Sequence, residues 1–162
     1  MTNTDPRFQE YVFEAGGALT FLQLIEHFLK LYIDYSFRLA AVHLLGKMPF
    51  RFTGDDFKNA PLERLLATFR KLSDDVDLIN VLETLKEKRN FFAHKGFVQY
   101  FEKPNIDEEH YQKSLSSAKE IKEEAMKGFF LLFIEVSKLD ERIMGLGQHQ
   151  VVPPDAQNDA PR

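Results

Sequence analysis

Apolar residues recur every three or four positions along most of this 162-residue chain, and this spacing constrains the fold more than any other feature. Two stretches carry the pattern furthest, one from Phe21 to Val42 and one from Tyr111 to Ile143. Residues at this spacing share one face of an α-helix, so each stretch predicts a long helix. Counted out to their predicted ends, about 25 and 36 residues at about 1.5 Å each, these helices would be roughly 38 Å and 54 Å long.

The first long helix is predicted between two recognisable ends. Thr20 and Gln23 have the Thr-x-x-Gln spacing of a capping box, which predicts the start. Gly46 predicts the stop, because glycine readily ends helices. The preceding segment, Phe8–Phe13, is ambiguous and predicts at most a short helix before a break at Gly16-Gly17. The apolar stripe of the long helix consists of Phe21, Leu24, Phe28, Leu31, Tyr35, Leu39 and Val42.

Two shorter helices are predicted between the long ones. Lys47–Ala60 contains both proline and glycine and is predicted to be a connection. Pro61 suits the first turn of a short helix that ends near Leu72. The next helix is expected to end at Lys95-Gly96. Its candidate N-cap residues are Ser73, Asp74 and Asp75. Three phenylalanines of the connection are expected to fold back onto the core, namely Phe50, Phe52 and Phe57.

These elements predict an all-α fold, an up-and-down bundle of four main helices, two long and two short. Asn105, with Glu108 three residues later, predicts the start of the last helix, and Gly145 and Gly147 predict its end. Residues 1–147 are expected to form a single domain, because domains span about 100–200 residues. Residues 148–162 hold three prolines and no apolar period, so we expect a disordered tail.

Composition excludes several classes of protein. Cysteine is absent, which rules out a disulfide scaffold, cysteine-ligated zinc and a thiol nucleophile. The longest apolar run is Phe129–Ile134, far below the about 20 residues of a membrane-spanning helix. Met1–Arg7 is polar, unlike a signal peptide, so we expect a cytoplasmic protein. The net charge of −4 means that any nucleic-acid site must be a local basic patch.

Most familiar catalytic and metal-binding patterns are missing. No two of the five histidines lie three or four residues apart, so no helical histidine pair can bind a metal. The sequence contains neither a glycine-rich phosphate loop nor a Gly-x-Ser-x-Gly turn. Two of its four acidic clusters lie at predicted helix starts, where carboxylates favour the helix dipole. We therefore predict no cofactor and no metal.

One run stands out, Leu85–Gly96, in which Arg89 is followed by Asn90 and, four residues further on, by His94. It resembles the motif of the HEPN superfamily (higher eukaryotes and prokaryotes nucleotide-binding), an Arg and a His separated by four to six residues. A polar residue often follows the Arg in that family. The long first and last helices and the short leucine-rich helix also resemble it, over about residues 10–145.

An arginine and a histidine at this spacing also occur at two other places, but the residues around them exclude both as candidate sites. Arg38 precedes His43 by a suitable interval, but an apolar residue follows the arginine and the pair lies inside an apolar helix. Arg142 precedes His149 in the same way, with Ile143 after the arginine. Only the Arg89 pair has the polar second residue and lies at the end of a predicted helix, so it is the candidate site.

Helix geometry constrains how the three side chains meet. Asn90 and His94 are four residues apart and point the same way if the helix continues. Arg89 lies five residues before His94, about 140° around the helix. Its long side chain, a local bulge or a second subunit must therefore bring it alongside. In the resembled family, two copies pack so that two Arg–His sets line one cleft, which implies a homodimer.

The resemblance implies a metal-independent endoribonuclease. His94, with a reference pKa of about 6.5, can act as base or acid on the ribose 2′-hydroxyl and the leaving oxygen. Arg89 stays charged and can bind phosphate oxygens in pairs, and Asn90 can orient His94 or bind RNA. A local basic patch for RNA is predicted from Lys86, Lys88 and Lys95.

Each of these residues also has a purely structural interpretation. Arg89 can pair with an acidic residue of another helix, or Glu83, one and a half turns earlier, can hold it in place. His94 can cap a helix end. The lysines favour the dipole at a helix C-terminus in any case. These alternatives leave two further hypotheses open, a non-catalytic HEPN-like dimeric module and an unrelated helical-bundle protein. Toxin–antitoxin, phage-defence or RNA-processing roles, with a separate antitoxin partner, are what the resemblance implies.

Overall fold

The computed structural model describes residues 5–92 and 107–148, apart from the side chains at positions 91, 147 and 148. This part of the chain is all-helical and contains no strand, as predicted. A single 3-10 turn, Gly54–Phe57, lies in the connection after the first helix. The helices are α1 (Pro6–Leu44, 39 residues), α2 (Leu62–Leu72, 11), α3 (Val76–Phe91, 16) and α4 (Glu108–Gln148, 41).

Helix α1 starts fifteen residues earlier than the capping-box pattern predicts. Asp5 caps its first turn by accepting a hydrogen bond from the amide of Arg7 at 2.9 Å, and Pro6 occupies the first helical position. The hydroxyl of Thr20 donates instead to the carbonyl of Gly16, one turn back, as is common in mid-helix. The predicted break at Gly16-Gly17 is therefore wrong. Gly17 lies against the stem of Lys122 from α4, which explains a small residue there by packing.

The predicted ends of the middle elements agree with the structure. Helix α1 ends at Leu44, and Gly46 then adopts a φ of 75°, which glycine tolerates without strain. The side chain of Asp75 accepts from the amide of Leu78 at 2.9 Å and so caps α3. Phe37 of α1 contacts the rings of Phe50, Phe52 and Phe57, so the connection does fold back onto the core.

The ends of α4 differ from the prediction. The helix begins at Glu108, and the side chain of Asp107 accepts from the amide of His110 at 2.8 Å, so Asp107 is the cap rather than Asn105. The helix also continues through Gly145 and ends at Gln148. Glycine weakens a helix by only about 1 kcal/mol per residue, which 41 helical residues can absorb. Several predicted features lie outside the described residues, namely the Lys95-Gly96 stop, Asn105 itself and the tail after Gln148.

Helices α1 and α4 make the most extensive contact among the described helices, and they run parallel. Residue numbers rise together along the contact, from Glu10 and Lys119, through Glu14 and Lys122, to Phe21 and Phe129. Helix α3 runs antiparallel to both. In an up-and-down bundle of four helices the first and last would be antiparallel, so this part of the prediction is wrong.

The buried face of α1 is not the predicted stripe. Most of the buried residues of α1 lie outside that stripe, namely Tyr11, Ala15, Ala18, Leu22, Ile25, Leu29 and Ile33, whereas Leu39 is the one residue of the predicted stripe that is buried. Phe21, Leu24, Phe28, Leu31 and Tyr35 are only partly buried. Helix α1 thus carries two apolar stripes, and the spacing alone does not tell which one faces the core. The second stripe is half open to solvent.

Close packing of α3 on α4 depends on a glycine. A Cβ atom at Gly128 would lie 2.7 Å from the Cδ1 of Leu85, a fully buried side chain of α3, whereas one at Gly145 meets nothing within 4 Å. We predict that Gly145→Ala raises the unfolding free energy by about 0.5–1 kcal/mol through helix propensity. Gly128→Ala should lower it despite the same propensity gain, because overpacking costs about 1–3 kcal/mol.

Urea unfolding followed by circular dichroism measures both variants against the wild type. Stabilisation by Gly128→Ala equal to that by Gly145→Ala would show that α3 does not pack tightly on α4.

Candidate functional site

The two described residues of the motif lie at the end of α3, as predicted. Arg89 and Asn90 occupy its last turn, and the next described side chain, Phe92, is fully buried and anchors the helix end. Asn90 is exposed. His94 and Lys95 lie outside the described residues. The structure therefore places Arg89 and Asn90 at an accessible helix end.

Arg89 is held by a carboxylate from another helix. Its Nη2 lies 2.8 Å from the Oε1 of Glu26 in the middle of α1. The side chains are 38% and 23% exposed, so the pair lies at the surface between α1 and α3. A guanidinium carries five N–H donors, and one carboxylate contact leaves donors free for a further anion. The prediction that Arg89 pairs with an acidic residue of another helix is confirmed.

Glu83 does not hold Arg89. It pairs with Arg70 of α2 and with Lys86 on its own helix, the latter at 3.1 Å. Burial alone would raise the pKa of Glu83, but hydrogen bonds from Arg70 and Lys86 outweigh it and hold the pKa below its usual value. This network fastens α3 to α2 about one and a half turns before Arg89. It thereby fixes the direction in which the motif end of α3 points.

The predicted basic patch is interleaved with carboxylates. Lys88 lies 2.5 Å from Glu124 and 3.7 Å from Glu120, both on α4, and Lys86 is paired with Glu83. A shallow groove of about 260 Å³ runs beside Lys88, between α3 and α4. Every described cation of the motif therefore already contacts a carboxylate. RNA phosphates would have to displace or share these partners, which lowers the electrostatic gain on binding.

Glu26 is the site residue that the sequence analysis missed. It is the only Asp, Glu, Lys or Arg between Ala15 and Leu29, in the middle of the most apolar part of α1. A lone charge inside such a stretch requires a partner, because an unpaired charge near a core is costly. That signal was available, but nothing in the sequence indicates that its partner is Arg89.

Two further findings come from residues 5–92 and 107–148. No group of three or more His, Asp or Glu side chains there is arranged to hold a metal ion. None of the helices there combines the length and the apolar character needed to cross a membrane. No protein-family model matches the chain, and neither a curated protein nor a solved structure gives a match.

The Glu83 network makes stability depend on pH in a defined direction. The folded-state pKa of Glu83 is lowered, so its contribution is present above its unfolded pKa and is lost as the pH falls through the folded value. We predict that Glu83→Gln lowers the Tm at pH 7, where a partly exposed pair of this kind contributes about 0.5–1 kcal/mol. The difference from the wild type should shrink steadily as the pH falls below about 4.3, the usual pKa of a glutamate.

Differential scanning calorimetry from pH 3 to pH 7 measures this difference, with Glu141→Gln, an exposed carboxylate of α4, as the control. A Tm difference for Glu83→Gln that is constant with pH would contradict the charge-based explanation.

Proposed function

We propose that this protein is a HEPN-type, metal-independent endoribonuclease that acts as a homodimer. The observation that carries the proposal is the placement of Arg89: it lies at the end of α3, only partly buried, with Glu26 directing its guanidinium. Arg89, Asn90 and His94 would form the catalytic set, and two sets would line a cleft between two copies. The fold then corresponds to a HEPN-like bundle with α1 and α4 as its long helices.

The chemistry follows from the two side chains that can hold charge or protons. His94 removes the proton of a ribose 2′-hydroxyl, and that oxygen attacks the adjacent phosphorus. The bond from phosphorus to the 5′-oxygen breaks, and that oxygen takes up a proton from an acid, which a second His94 in the cleft can supply. Arg89 stabilises the negative charge that builds on the phosphoryl oxygens. Asn90 orients His94 or contacts the RNA.

RNA binding would require rearrangement of the surrounding ion pairs. Lys86 and Lys88 turn from their carboxylates toward phosphates, and Lys95 adds a third positive charge. Such exchange weakens RNA binding and makes it strongly dependent on salt. An enzyme whose RNA binding is weak and salt-sensitive fits a role in which RNA cleavage is switched on only under defined conditions. Toxin–antitoxin, phage-defence and RNA-processing systems, all cytoplasmic, are of this kind, with a separate antitoxin or regulatory partner.

A second function, a non-catalytic HEPN-like dimeric module, is favoured by the same ion pairs. Arg89 contacts Glu26, and Lys88 contacts Glu124 and Glu120, as in a surface that stabilises the fold. The net charge of −4 also favours the non-catalytic module. The two functions differ in one observable property, RNA cleavage that depends on His94.

The test is cleavage of a single-stranded RNA by purified protein in excess EDTA. We predict cleavage by the wild type and a loss of about 10²–10⁴-fold in His94→Ala, the contribution of positioned proton transfer. A substrate with 2′-O-methyl groups should resist cleavage, because its nucleophile is blocked.

His43→Ala, which alters another histidine near a matching arginine, is the control and should retain full activity. Equal cleavage by His94→Ala and the wild type would remove His94 from the mechanism. Absence of cleavage in every variant and buffer would favour the non-catalytic module.

Glu26 is proposed to act as a positioning residue for Arg89. We predict that Glu26→Gln lowers kcat by about 10–100-fold, because the guanidinium loses its fixed orientation, while KM changes less. The pH profile should keep its shape, since the variant leaves His94 in place.

The matched control is Glu14→Gln, which removes another ion pair of α1, with Lys122 at 2.9 Å and remote from Arg89. Equal kcat values in the two variants would show that Glu26 contributes to stability alone.

A further inference from the structure

The second apolar stripe of α1 joins a matching stripe on α4 to form one aromatic surface. We call this surface the seam and define it by Phe21, Leu24 and Phe28 of α1 with Phe129, Phe130 and Phe133 of α4. Rings contact one another across the two helices: Phe28 lies 5.2 Å from Phe129 and 5.6 Å from Phe133 between ring centroids, and Phe21 lies 5.9 Å from Phe129. The seam is therefore one continuous patch.

The seam faces away from α3. On α1, Phe28 comes two residues after Glu26, which contacts Arg89 of α3; on α4, Phe130 comes two residues after Gly128, which packs on Leu85 of α3. Residues two apart lie about 200° apart around a helix. Both helices thus present the seam on the side opposite α3. Among the described elements, none covers it.

The seam exposes more apolar surface than isolated apolar residues on a protein surface do. Phe130 is 53% exposed and Phe133 is 45% exposed, with Met126 and Ile134 also open beside them. At about 150–250 Å² per aromatic side chain, the open parts of these residues amount to roughly 400 Å² of apolar surface. In a standard interface each partner contributes about 800 Å², of which a little more than half is apolar. The seam together with Met126 and Ile134 exposes about as much apolar surface as one partner of such an interface.

Charge is depleted on the α1 side of the seam. From Ala15 to Phe37, the charged residues of α1 are Glu26, Lys30 and Asp34, and each is engaged elsewhere. Glu26 contacts Arg89, Lys30 donates to the carbonyl of Lys58 at 2.8 Å, and Asp34 pairs with Arg38 at 2.8 Å. The exposed border of the seam on α1 is polar without Asp, Glu, Lys or Arg, and consists of Thr20, Gln23 and His27.

This composition identifies the occupant. Aromatic side chains and methionine with few charges are typical of the core of a protein–protein interface. A membrane surface or a nucleic acid would instead call for lysine and arginine all along the border, and the α1 side has neither. On α1, Phe21, Leu24, Phe28, Leu31 and Tyr35 follow a heptad spacing. Phe21 and Phe28 of this set pack on Phe129 of α4 within the same chain. A two-fold axis brings the same surface to itself, so one chain supplies both halves.

We propose that the seam is a homodimer interface, in which α1 and α4 of one copy pack on α1 and α4 of a second copy. Because the seam lies on the side opposite α3, this contact leaves Arg89 of each copy uncovered. It is thus a different surface from the catalytic cleft under Proposed function, and it does not depend on RNA cleavage. A chain that uses both surfaces assembles beyond a dimer.

The first test is the mass of the protein in solution at about 10–100 µM, by sedimentation equilibrium. The wild type should be a dimer or larger. The double variant Phe130→Asp/Phe133→Asp should weaken association on the order of 100–1000-fold, because two unpaired carboxylates enter the interface. Phe52→Asp, a phenylalanine 65% exposed in the connection after α1, is the matched control and should keep the wild-type mass.

A cysteine scan provides a test that is independent of the double variant's folding. The chain has no cysteine, so single substitutions at polar positions bordering the seam, Gln23→Cys, His27→Cys and Ser137→Cys, report proximity to a second copy without background. At least one should form a disulfide-linked dimer on mild oxidation. Val76→Cys, at the exposed start of α3, should not.

Three results would overturn the proposal. The first is a wild type that is monomeric at 100 µM, including one that binds phosphatidylcholine vesicles through the seam. The second is a double variant that folds, as judged by circular dichroism, and keeps the wild-type mass. The third is cross-linking at the three seam positions no greater than at Val76.

Discussion

The parallel contact between α1 and α4 is the interaction on which the rest of the structure depends. Small side chains make it possible, because Ala15 and Ala18 of α1 and Ala118 and Ala125 of α4 are fully buried and let the two backbones approach. Ion pairs from Glu10 to Lys119 and from Glu14 to Lys122 match the same register at the surface. The remaining helices have no comparable contact, and they pack on the side of this pair.

Helix α3 is placed on that pair by shape and by charge together. Gly128 admits the side chain of Leu85, and Lys88 reaches Glu124 on α4. The last turn of α3 then lies beside the middle of α1, where Glu26 meets Arg89. The geometry of the candidate site is thus a consequence of how α3 lies on α1 and α4. A substitution that alters the packing at Gly128 would therefore also displace Arg89.

The sequence could predict the helices because their apolar spacing is a local property. The four elements, the Asp75 cap and the stop at Gly46 all follow from residues within a few positions of one another. The face of α1 that enters the core could not be predicted, since Phe21 and Leu22 begin two equally apolar stripes and only the position of α4 chooses between them. The start of α1 at Pro6 was not predicted because Thr20 and Gln23 have the spacing of a helix cap. The residue that caps the helix is Asp5.

The site could be predicted in part for the same reason. Arg89 and Asn90 lie at a helix end, as the local pattern requires, whereas the partner of Arg89 is 63 positions away in sequence. Long-range ion pairs of this kind are decided by packing and leave only an indirect sign, here a single charge in an apolar stretch. The carboxylates around Lys86 and Lys88 likewise come partly from α4. They turn a predicted basic patch into a nearly neutral surface.

We propose that the guanidinium of Arg89, directed by Glu26, receives an RNA phosphate. The most direct measurement is the ¹H–¹⁵N resonance of the Arg89 Nε–H group, assigned through Arg89→Lys and followed during titration with a 2′-O-methyl RNA oligonucleotide in EDTA. We expect RNA to shift that resonance until binding saturates. We also expect Glu26→Gln to change the position of the resonance in the free protein. An Arg89 resonance that stays unchanged at saturating RNA would contradict it.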